Sequence, residues 1–146
     1  MCLAIGGKDK VVYVYTVSGN DLSEKTKFQL NGEISSLAYS PNGDFLAVTS
    51  GRNIMVHETA SYQQKHDFLF HTARTMCIGW SPDSQFIASG SIDTNIIVWS
   101  LAANSRTAVI KGAHPLSVIT GIVWISDTSF ASCGHDCFIR IWEHSS

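Results

Sequence analysis

Residues 87–99 read Ile-Ala-Ser-Gly-Ser-Ile-Asp-Thr-Asn-Ile-Ile-Val-Trp, and this pattern decides the fold because it recurs along the chain. Small residues follow an alanine, an aspartate stands in a predicted turn, and a β-branched run closes on an aromatic residue. The closing position is held by Tyr15, His57, Trp99 and Trp142, at spacings of 42, 42 and 43 residues. Such a period, built from residues that favour strands, predicts repeated β units that bury their faces by stacking on one another.

The residues on either side of this pattern complete a four-stranded unit. An earlier strand ends in a turn, Ser40-Pro41-Asn42-Gly43-Asp44 in one unit and Ser81-Pro82-Asp83-Ser84 in the next, where proline and Asn-Gly or Asp-Ser favour a tight reversal. A more polar outer strand follows the closing aromatic residue, and the one sizeable loop is predicted at 18–23. First strands are predicted at 34–39, 75–80 and 119–124, and outer strands at 24–30, 64–69 and 106–110.

The strands of the four units number three, four, four and three, which predicts an all-β chain of antiparallel sheets. The units span about 1–30, 31–70, 71–111 and 112–146 within one domain, 1–146. Two units are complete. The first and last units each lack a strand, because the sequence begins inside the second strand of the first unit and ends four residues after Trp142. We therefore expect a partial β-propeller of about four blades, whose ring is completed by further blades or by self-association.

Composition restricts the class of protein. The chain has 146 residues, of which 45% are hydrophobic and 15% charged, and this suits a packed core better than a disordered segment. A net charge of −2 gives no general attraction to nucleic acid or to an anionic membrane, and no apolar run has the length of a bilayer span. We expect a cytoplasmic protein with reduced, mostly buried thiols at its four cysteines, Cys2, Cys77, Cys133 and Cys137.

The segments Trp80-Ser81-Pro82-Asp83, Ala88-Ser89-Gly90-Ser91-Ile92-Asp93 and Ile97-Val98-Trp99 resemble the WD40 repeat family over essentially the whole chain. The run Gly112-Ala113-His114-Pro115-Leu116-Ser117-Val118, leading to Ile122-Val123-Trp124, is similar to the C-terminal blades of the actin-interacting protein 1 family, also called the WD repeat-containing protein 1 family. Members of that family have two joined propellers, so the resemblance implies that this chain corresponds to the last blades of the second.

The resemblance implies a non-enzymatic protein-interaction module associated with the actin cytoskeleton. The module is expected to form part of an actin-binding factor that promotes cofilin-dependent disassembly of actin filaments, with actin and cofilin as partners and no cofactor. A generic WD40 scaffold subunit of another multiprotein complex, such as a trafficking or ubiquitin-ligase assembly, is the alternative. Sedimentation with cofilin-decorated actin would distinguish the two.

Two repeats carry histidine, serine and aspartate together with the closing tryptophan. These are the residue types of a hydrolase triad, which keeps an enzyme as a third hypothesis. Two copies in register favour a structural element, since an active site needs only one. The family resemblance implies a hydrogen-bond chain that runs from tryptophan to serine, histidine and aspartate. We therefore predict two structural tetrads and no catalytic residue: His71, Ser89, Asp93 and Trp99, and His114, Ser132, Asp136 and Trp142.

The first two repeats lack a complete tetrad. Ile5 stands at the serine position of the first, while Gly51 and His57 replace the aspartate and the tryptophan of the second. We expect the second repeat to be the least well anchored and His57 to be a packing residue. No metal site is expected at residues 133–137, although they include two cysteines and a histidine, because no second pair of ligands lies at a suitable spacing for zinc.

Loops and turns at one face of the predicted propeller are the candidate partner-binding surface, since loops carry function more often than strands do. Ile92 and His135 are of most interest because each stands next to a turn aspartate. The predicted partner-binding residues are Lys8, Arg52, Arg74, Ile92 and His135.

Overall fold

The computed structural model describes residues 1–145, which form fourteen strands. No helix in this range is long and apolar enough to cross a membrane. Every paired strand runs antiparallel to its neighbour, as expected for strands joined by tight turns. In chain order the strands are β1 (Cys2–Gly6), β2 (Val11–Ser18), β3 (Asp21–Gln29), β4 (Ile34–Tyr39), β5 (Phe45–Ser50), β6 (Asn53–Glu58), β7 (Gln64–Leu69), β8 (Thr75–Trp80), β9 (Phe86–Ser91), β10 (Ile96–Ser100), β11 (Ser105–Ile110), β12 (Ile119–Ser126), β13 (Ser129–Gly134) and β14 (Ile139–Glu143).

These strands form four separate sheets, each a simple up-and-down meander. Sheet 1 contains β1–β3, sheet 2 contains β4–β7, sheet 3 contains β8–β11 and sheet 4 contains β12–β14. The predicted all-β class, with two four-stranded and two three-stranded antiparallel sheets, is confirmed. Sheet order follows chain order, so each sheet packs against the next one along the chain.

Strand alternation gives each middle sheet two buried faces. Ile97 and Trp99 of β10 pack with residues of sheet 2, and the Trp99 ring stacks on Phe68 at 4.9 Å between centroids. Their neighbours Ile96 and Val98 point the other way and pack with residues of sheet 4. Because successive side chains of a strand point to opposite faces, the continuous apolar run of β10 fits a strand that is covered on both sides.

The innermost strands are held in register by tryptophan indoles. Trp80 Nε1 donates to the carbonyl oxygen of Ala38 at 3.0 Å, and Trp124 Nε1 donates to that of Gly79 at 3.1 Å. The second bond needs close backbone approach, because a Cβ atom on Gly79 would lie 3.0 Å from the carbonyl oxygen of Ile122. Each indole therefore satisfies a buried carbonyl and fixes one sheet against the sheet before it.

Two expectations about local structure are wrong. The loop predicted at 18–23 is a tight hairpin, in which β2 extends to Ser18, β3 begins at Asp21, and Gly19 adopts a positive φ of 61°. The thiols are free, but they are not mostly buried, since Cys77 is buried, Cys2 is half-buried and the remaining two are exposed. Those two are Cys133, on the face of sheet 4 that points away from sheet 3, and Cys137, in a turn.

Candidate functional site

The four sheets present two ends that differ in the distribution of lysine and arginine. The turns β1–β2, β5–β6, β9–β10 and β13–β14 lie at one end with the connections between sheets, as shown by backbone bonds from Thr75 N to Gly51 O at 2.9 Å and from His135 N to Val118 O at 3.0 Å. Every lysine and arginine that stands between strands in residues 1–145 lies at this end, which we call the basic end: Lys8, Lys10, Arg52, Arg74 and Lys111. The turns at the opposite, acidic end carry Asp44, Asp83 and Asp127.

In sheet 3 the four predicted tetrad residues form one hydrogen-bond chain. Trp99 Nε1 donates to Ser89 Oγ at 2.9 Å, and Ser89 Oγ lies 2.9 Å from His71 Nε2. His71 Nδ1 lies 2.9 Å from Asp93 Oδ2. Because the Asp93 carboxylate can only accept, the neutral imidazole donates to it from Nδ1, and Nε2 therefore accepts from the Ser89 hydroxyl. This hydrogen-bond chain joins the connection before β8, which carries His71, to the β9–β10 turn, which carries Asp93.

In sheet 4 the second tetrad has the same order. Trp142 Nε1 donates to Ser132 Oγ at 2.9 Å, and His114 Nε2 and Nδ1 lie 2.8 Å from Ser132 Oγ and Asp136 Oδ1. Arg140 adds a fifth member, since its Nη1 donates to Asp136 Oδ2 at 2.6 Å. The same Nη1 atom is 2.7 Å from His114 Nδ1, but that nitrogen already carries the hydrogen given to Asp136, so this approach is a close contact.

Burial sets the ionisation of His71, and hydrogen bonds set that of Asp93 and Asp136. Burial lowers the pKa of His71 and outweighs the hydrogen bond and charge of Asp93, which act to raise it, so the imidazole stays neutral. Burial acts to raise the pKa of Asp93, but the hydrogen bonds from His71 and from the backbone of Asn95 outweigh it. Likewise, burial acts to raise the pKa of Asp136, and hydrogen bonds from His114 and Arg140 lower it to about 2. Both carboxylates are therefore ionised acceptors at neutral pH.

The same burial decides what the tetrads can do chemically. Ser89 is 0% exposed and His71 is 2% exposed, so no substrate reaches the serine oxygen. That oxygen also accepts the Trp99 indole hydrogen, which occupies a lone pair that a nucleophile would use. The arrangement suits a hydrogen-bonded structural element, which satisfies polar groups that would be costly to leave unpaired.

Sheet 2 is held by a different set of hydroxyl groups, which the sequence pattern did not indicate. Ser50 Oγ accepts from Gly32 N at 2.9 Å and donates to Gly32 O at 3.1 Å, and Thr49 Oγ1 accepts from Ser36 N at 2.7 Å. His57 packs against the Phe28 ring in a tilted arrangement, with 4.4 Å between centroids, and its Nδ1 lies 3.0 Å from Tyr62 O. Sheet 2 is thus anchored through side-chain bonds to its own backbone, in place of a tetrad.

The five predicted partner-binding residues all lie at the basic end, but their environments differ. The side chains of Lys8, Arg52 and His135 are exposed, and Ile92 is 44% exposed. Arg74 is half-buried and acts as a clamp between sheets 2 and 3, since its Nη1 and Nε atoms donate to Glu33 Oε2 at 2.9 Å and to Ser35 Oγ at 2.7 Å.

Other exposed residues of the same end were missed. Leu116 is fully exposed with a positive φ of 55°, and Phe138 is 61% exposed. Lys10 and Lys111 carry further positive charge. For Leu116, Lys10 and Lys111 the available signal was their position, because each stands in a turn or connection that the strand pattern assigns to this end. The pattern gave no such signal for Phe138, since it predicts that residue as the first of a strand, whereas β14 begins at Ile139.

The cysteines do not gather into a metal centre. Within residues 1–145, no three histidine, cysteine, aspartate or glutamate side chains are arranged to hold a metal ion. Cys77 is packed between sheets 3 and 4, where burial raises the pKa of its thiol to about 12. This thiol therefore behaves as a small apolar side chain at neutral pH.

Comparison with known families agrees with the sheet architecture. The profile described as "WD domain, G-beta repeat" matches residues 24–58, 62–100 and 105–143. Among solved structures, the chain superimposes with a TM-score of 0.83 and 25% identity on a chain in the crystal structure of the mitotic checkpoint complex. That superposition covers 99% of this chain and 45% of the other.

Curated relatives are longer proteins. The chain is 36% identical over 144 residues to actin-interacting protein 1 of Drosophila melanogaster and 37% identical over 146 residues to that of Caenorhabditis elegans, covering 97% of this chain in each case. It is 34% identical over 143 residues to the 66 kDa stress protein of Physarum polycephalum, covering 96% of this chain. The chain spans 24% of the length of each of these relatives.

Proposed function

The chain belongs to the WD40 repeat family, and on that premise we propose that it is part of an actin-binding factor that promotes cofilin-dependent disassembly of actin filaments. As a WD40 chain it is a protein-interaction module. The observation that carries the finer assignment is the 36% and 37% identity to two proteins named actin-interacting protein 1, over 97% of this chain. We infer that actin and cofilin are its partners and that it acts in the cytoplasm, at the actin cytoskeleton.

The architecture supports a role in binding. Stacked sheets hold the turns of the basic end on a rigid support, so side chains from different sheets are presented together with little loss of conformational freedom on binding. We propose Lys8, Arg52, Arg74, Ile92 and His135 as partner-contacting residues, with Arg74 acting mainly through its clamp on Glu33. We propose that the two tetrads are structural supports of the turns that carry Ile92 and His135.

Sedimentation with actin filaments tests the proposal. We expect the chain to pellet with cofilin-decorated filaments more strongly than with bare filaments. Replacing Arg52 and Ile92 together with alanine is expected to weaken this binding about tenfold, because an exposed charge and an exposed apolar side chain are lost from the contact. Lys27→Ala is the matched control, since Lys27 lies on the outer strand β3 with its side chain 60% exposed.

Equal pelleting with bare and decorated filaments, or none with either, would contradict the actin proposal. The alternative is then a WD40 scaffold subunit of another multiprotein complex, such as a trafficking or ubiquitin-ligase assembly. The structural similarity to a chain of the mitotic checkpoint complex, with a TM-score of 0.83, favours keeping that alternative.

We also propose that the uncovered face of sheet 4 is packed in the working protein against another WD40 sheet, from further blades or from a second copy. Arg140 and Trp142 of β14 point toward sheet 3, so their neighbours on that strand point away from it. The apolar side chains of this face are Val123, 61% exposed, Ile125, 58%, Ile139, 77%, and Ile141, 69%. An exposed apolar face of this kind marks an interaction site in a soluble protein.

Light scattering on the purified chain tests this proposal about assembly. We expect the mean mass to rise above 15.9 kDa as concentration increases. Replacing Ile139 and Ile141 with threonine, which keeps β-branching but adds a polar group, is expected to reduce that rise. A native chain that stays monomeric at all concentrations would contradict self-association through this face.

A further inference from the structure

We propose that the basic end binds an acidic protein segment that carries large apolar side chains. The inference rests on the proposed function only in taking the chain to be a protein-interaction module, and it specifies the chemistry of the partner at that surface. The surface consists of the basic residues Lys8, Lys10, Arg52 and Lys111 together with the apolar residues Ile92, Leu116 and Phe138.

Positive charge exceeds negative charge at this end, where the turns carry five lysine and arginine residues and four aspartate and glutamate residues, and Arg140 of β14 adds a sixth cation. Lys8, Lys10, Arg52 and Lys111 have no carboxylate within 4.0 Å among residues 1–145. The acidic side chains of the same turns are already bonded within the fold. They are Glu33 with Arg74, Asp93 with His71, Asp136 with Arg140, and Asp9 with the Tyr13 hydroxyl at 3.1 Å. Only Glu33 and Asp136 are paired with a cation, while Asp9 and Asp93 are bonded to neutral groups and keep their negative charge. Four cations without an ion pair still outnumber these two carboxylates, so a partner's own carboxylates are the groups that complement this end.

The apolar part of the surface comes from three neighbouring loops. The connection that carries Leu116 lies between the β9–β10 and β13–β14 turns, since His114 N donates to Thr94 O at 3.4 Å and His135 N donates to Val118 O at 3.0 Å. Ile92 and Phe138, in those flanking turns, are 44% and 61% exposed. Three large apolar side chains are thus exposed on adjacent loops of sheets 3 and 4, where a partner can bury them.

Leu116 gives an independent reason to assign a binding role to these loops. It is 102% exposed and adopts a φ of 55°, in the left-handed region that side chains with a Cβ atom rarely occupy. Neither packing nor backbone preference within the fold explains a leucine at this position. An apolar side chain held out from the surface at a cost in backbone strain is well placed to act as an anchor for a partner.

The opposite end lacks both features. Its turns carry Asp44, Asp83 and Asp127 and, within residues 1–145, none of them contains a lysine, an arginine or an exposed large hydrophobic residue. An acidic segment is therefore repelled at the acidic end and attracted at the basic end. The basic side chains extend from sheet 1 to sheet 3 and the apolar ones belong to sheets 3 and 4, so an extended segment that crosses the sheets can contact both groups.

Selection from a phage-displayed library of random 12-residue peptides tests the inference with the whole chain as bait. We expect enrichment of peptides with a net negative charge and at least one leucine, isoleucine, phenylalanine or tryptophan. A fluorescein-labelled enriched peptide is then titrated by anisotropy. Its affinity is expected to fall about tenfold for Lys8→Glu combined with Arg52→Glu, and by a similar factor for Leu116→Ser combined with Ile92→Ser. Lys27→Glu, which reverses one charge on the outer strand β3, is expected to change it less than twofold.

Enrichment of neutral or basic peptides would overturn the inference, as would no enrichment above background. Binding that is unchanged in both double variants would do so too, because it would place the peptide elsewhere on the chain. Vesicles of phosphatidylcholine and phosphatidylserine in a 3:1 ratio form a competition arm. Displacement of the peptide by vesicles would assign the surface to a membrane and reject the protein segment. The peptide selection and titration contain neither actin nor cofilin. If they succeed and the sedimentation experiment fails, only the actin assignment is rejected.

Discussion

Replacing Gly90 with valine is expected to lower the free energy of unfolding by about 3 kcal/mol or more. A Cβ atom at this position would lie 2.5 Å from Ile119 Cγ2 and 3.0 Å from Cys77 Sγ. Ile119 is 0% exposed and Cys77 is 6% exposed, so neither side chain has solvent to move into. The site lies where sheets 3 and 4 pack together, and a β-branched side chain there forces the two sheets apart. Urea unfolding followed by tryptophan fluorescence measures the effect.

Gly7→Val is the matched control, because a Cβ atom on Gly7 meets only Asp9 Oδ1, at 3.7 Å. We expect this variant to lose less than about 1 kcal/mol. A second variant makes room in the core, since Ile119→Ala combined with Gly90→Val removes Ile119 Cγ2, the atom that a Cβ would strike at 2.5 Å. Partial recovery of stability in that double variant is expected. A Gly90→Val chain as stable as the native one, or no more affected than Gly7→Val, would show that the sheets do not approach as closely as described.

The sequence predicts the buried strands well because burial leaves a pattern. The β-branched and aromatic run at 96–99 is continuous since its strand is covered on both faces, and the recurrence of Ser89 and Asp93 at Ser132 and Asp136 reports the same hydrogen-bond chain twice. These positions are constrained by packing and by the cost of unpaired polar groups. Constraints of that kind can be recognised in a single sequence when the sequence contains repeats.

The exposed outer strand β3 was predicted less well, because exposure leaves no pattern of apolar residues. The residues at the start of β3 are exposed and, apart from Leu22, polar, so their hydropathy does not separate a strand from a loop. These residues belong to a strand because their backbone pairs with β2, with Thr16 opposite Ser23 and Ser18 opposite Asp21. Backbone pairing makes no demand on side-chain type, and the pattern therefore did not indicate it. Gly19 and Asn20, which suit a two-residue hairpin, were the signal available.

The pattern of repeats also could not predict contacts between parts of the chain that are far apart in sequence. Ser50 bonds to the backbone of Gly32, a partner 18 residues earlier. The identity of a short hydroxyl side chain does not predict which backbone group it bonds to. The exposure of Cys133 depends on which sheet covers its face, and its own segment does not encode that. Leu116 lies in a connection, where repeat position indicates the end of the molecule but not the exposure of the side chain.

Ser89→Ala is expected to destabilise the chain by about 2–6 kcal/mol, since two buried polar groups lose their partner at about 1–3 kcal/mol each. The Trp99 indole N–H and the His71 Nε2 atom both bond to Ser89 Oγ at 2.9 Å. Trp99 is 3% exposed and His71 2% exposed, so water cannot replace the serine hydroxyl. The equivalent change in sheet 4, Ser132→Ala, is expected to cost less, about 1 kcal/mol, because Trp142 is only half-buried and its indole can meet solvent.

A double-mutant cycle separates this hydrogen bonding from loss of packing. Trp99→Phe removes the indole donor and keeps an aromatic ring against Phe68, so Ser89→Ala should cost less in that background than in the native chain. A positive coupling of about 1 kcal/mol or more is expected, because the deletion then leaves one buried group unpaired where it had left two. Additive losses within about 0.5 kcal/mol would mean that the serine contributes through its volume alone. In that case the recurrence of the tetrad along the chain would need a different physical reason.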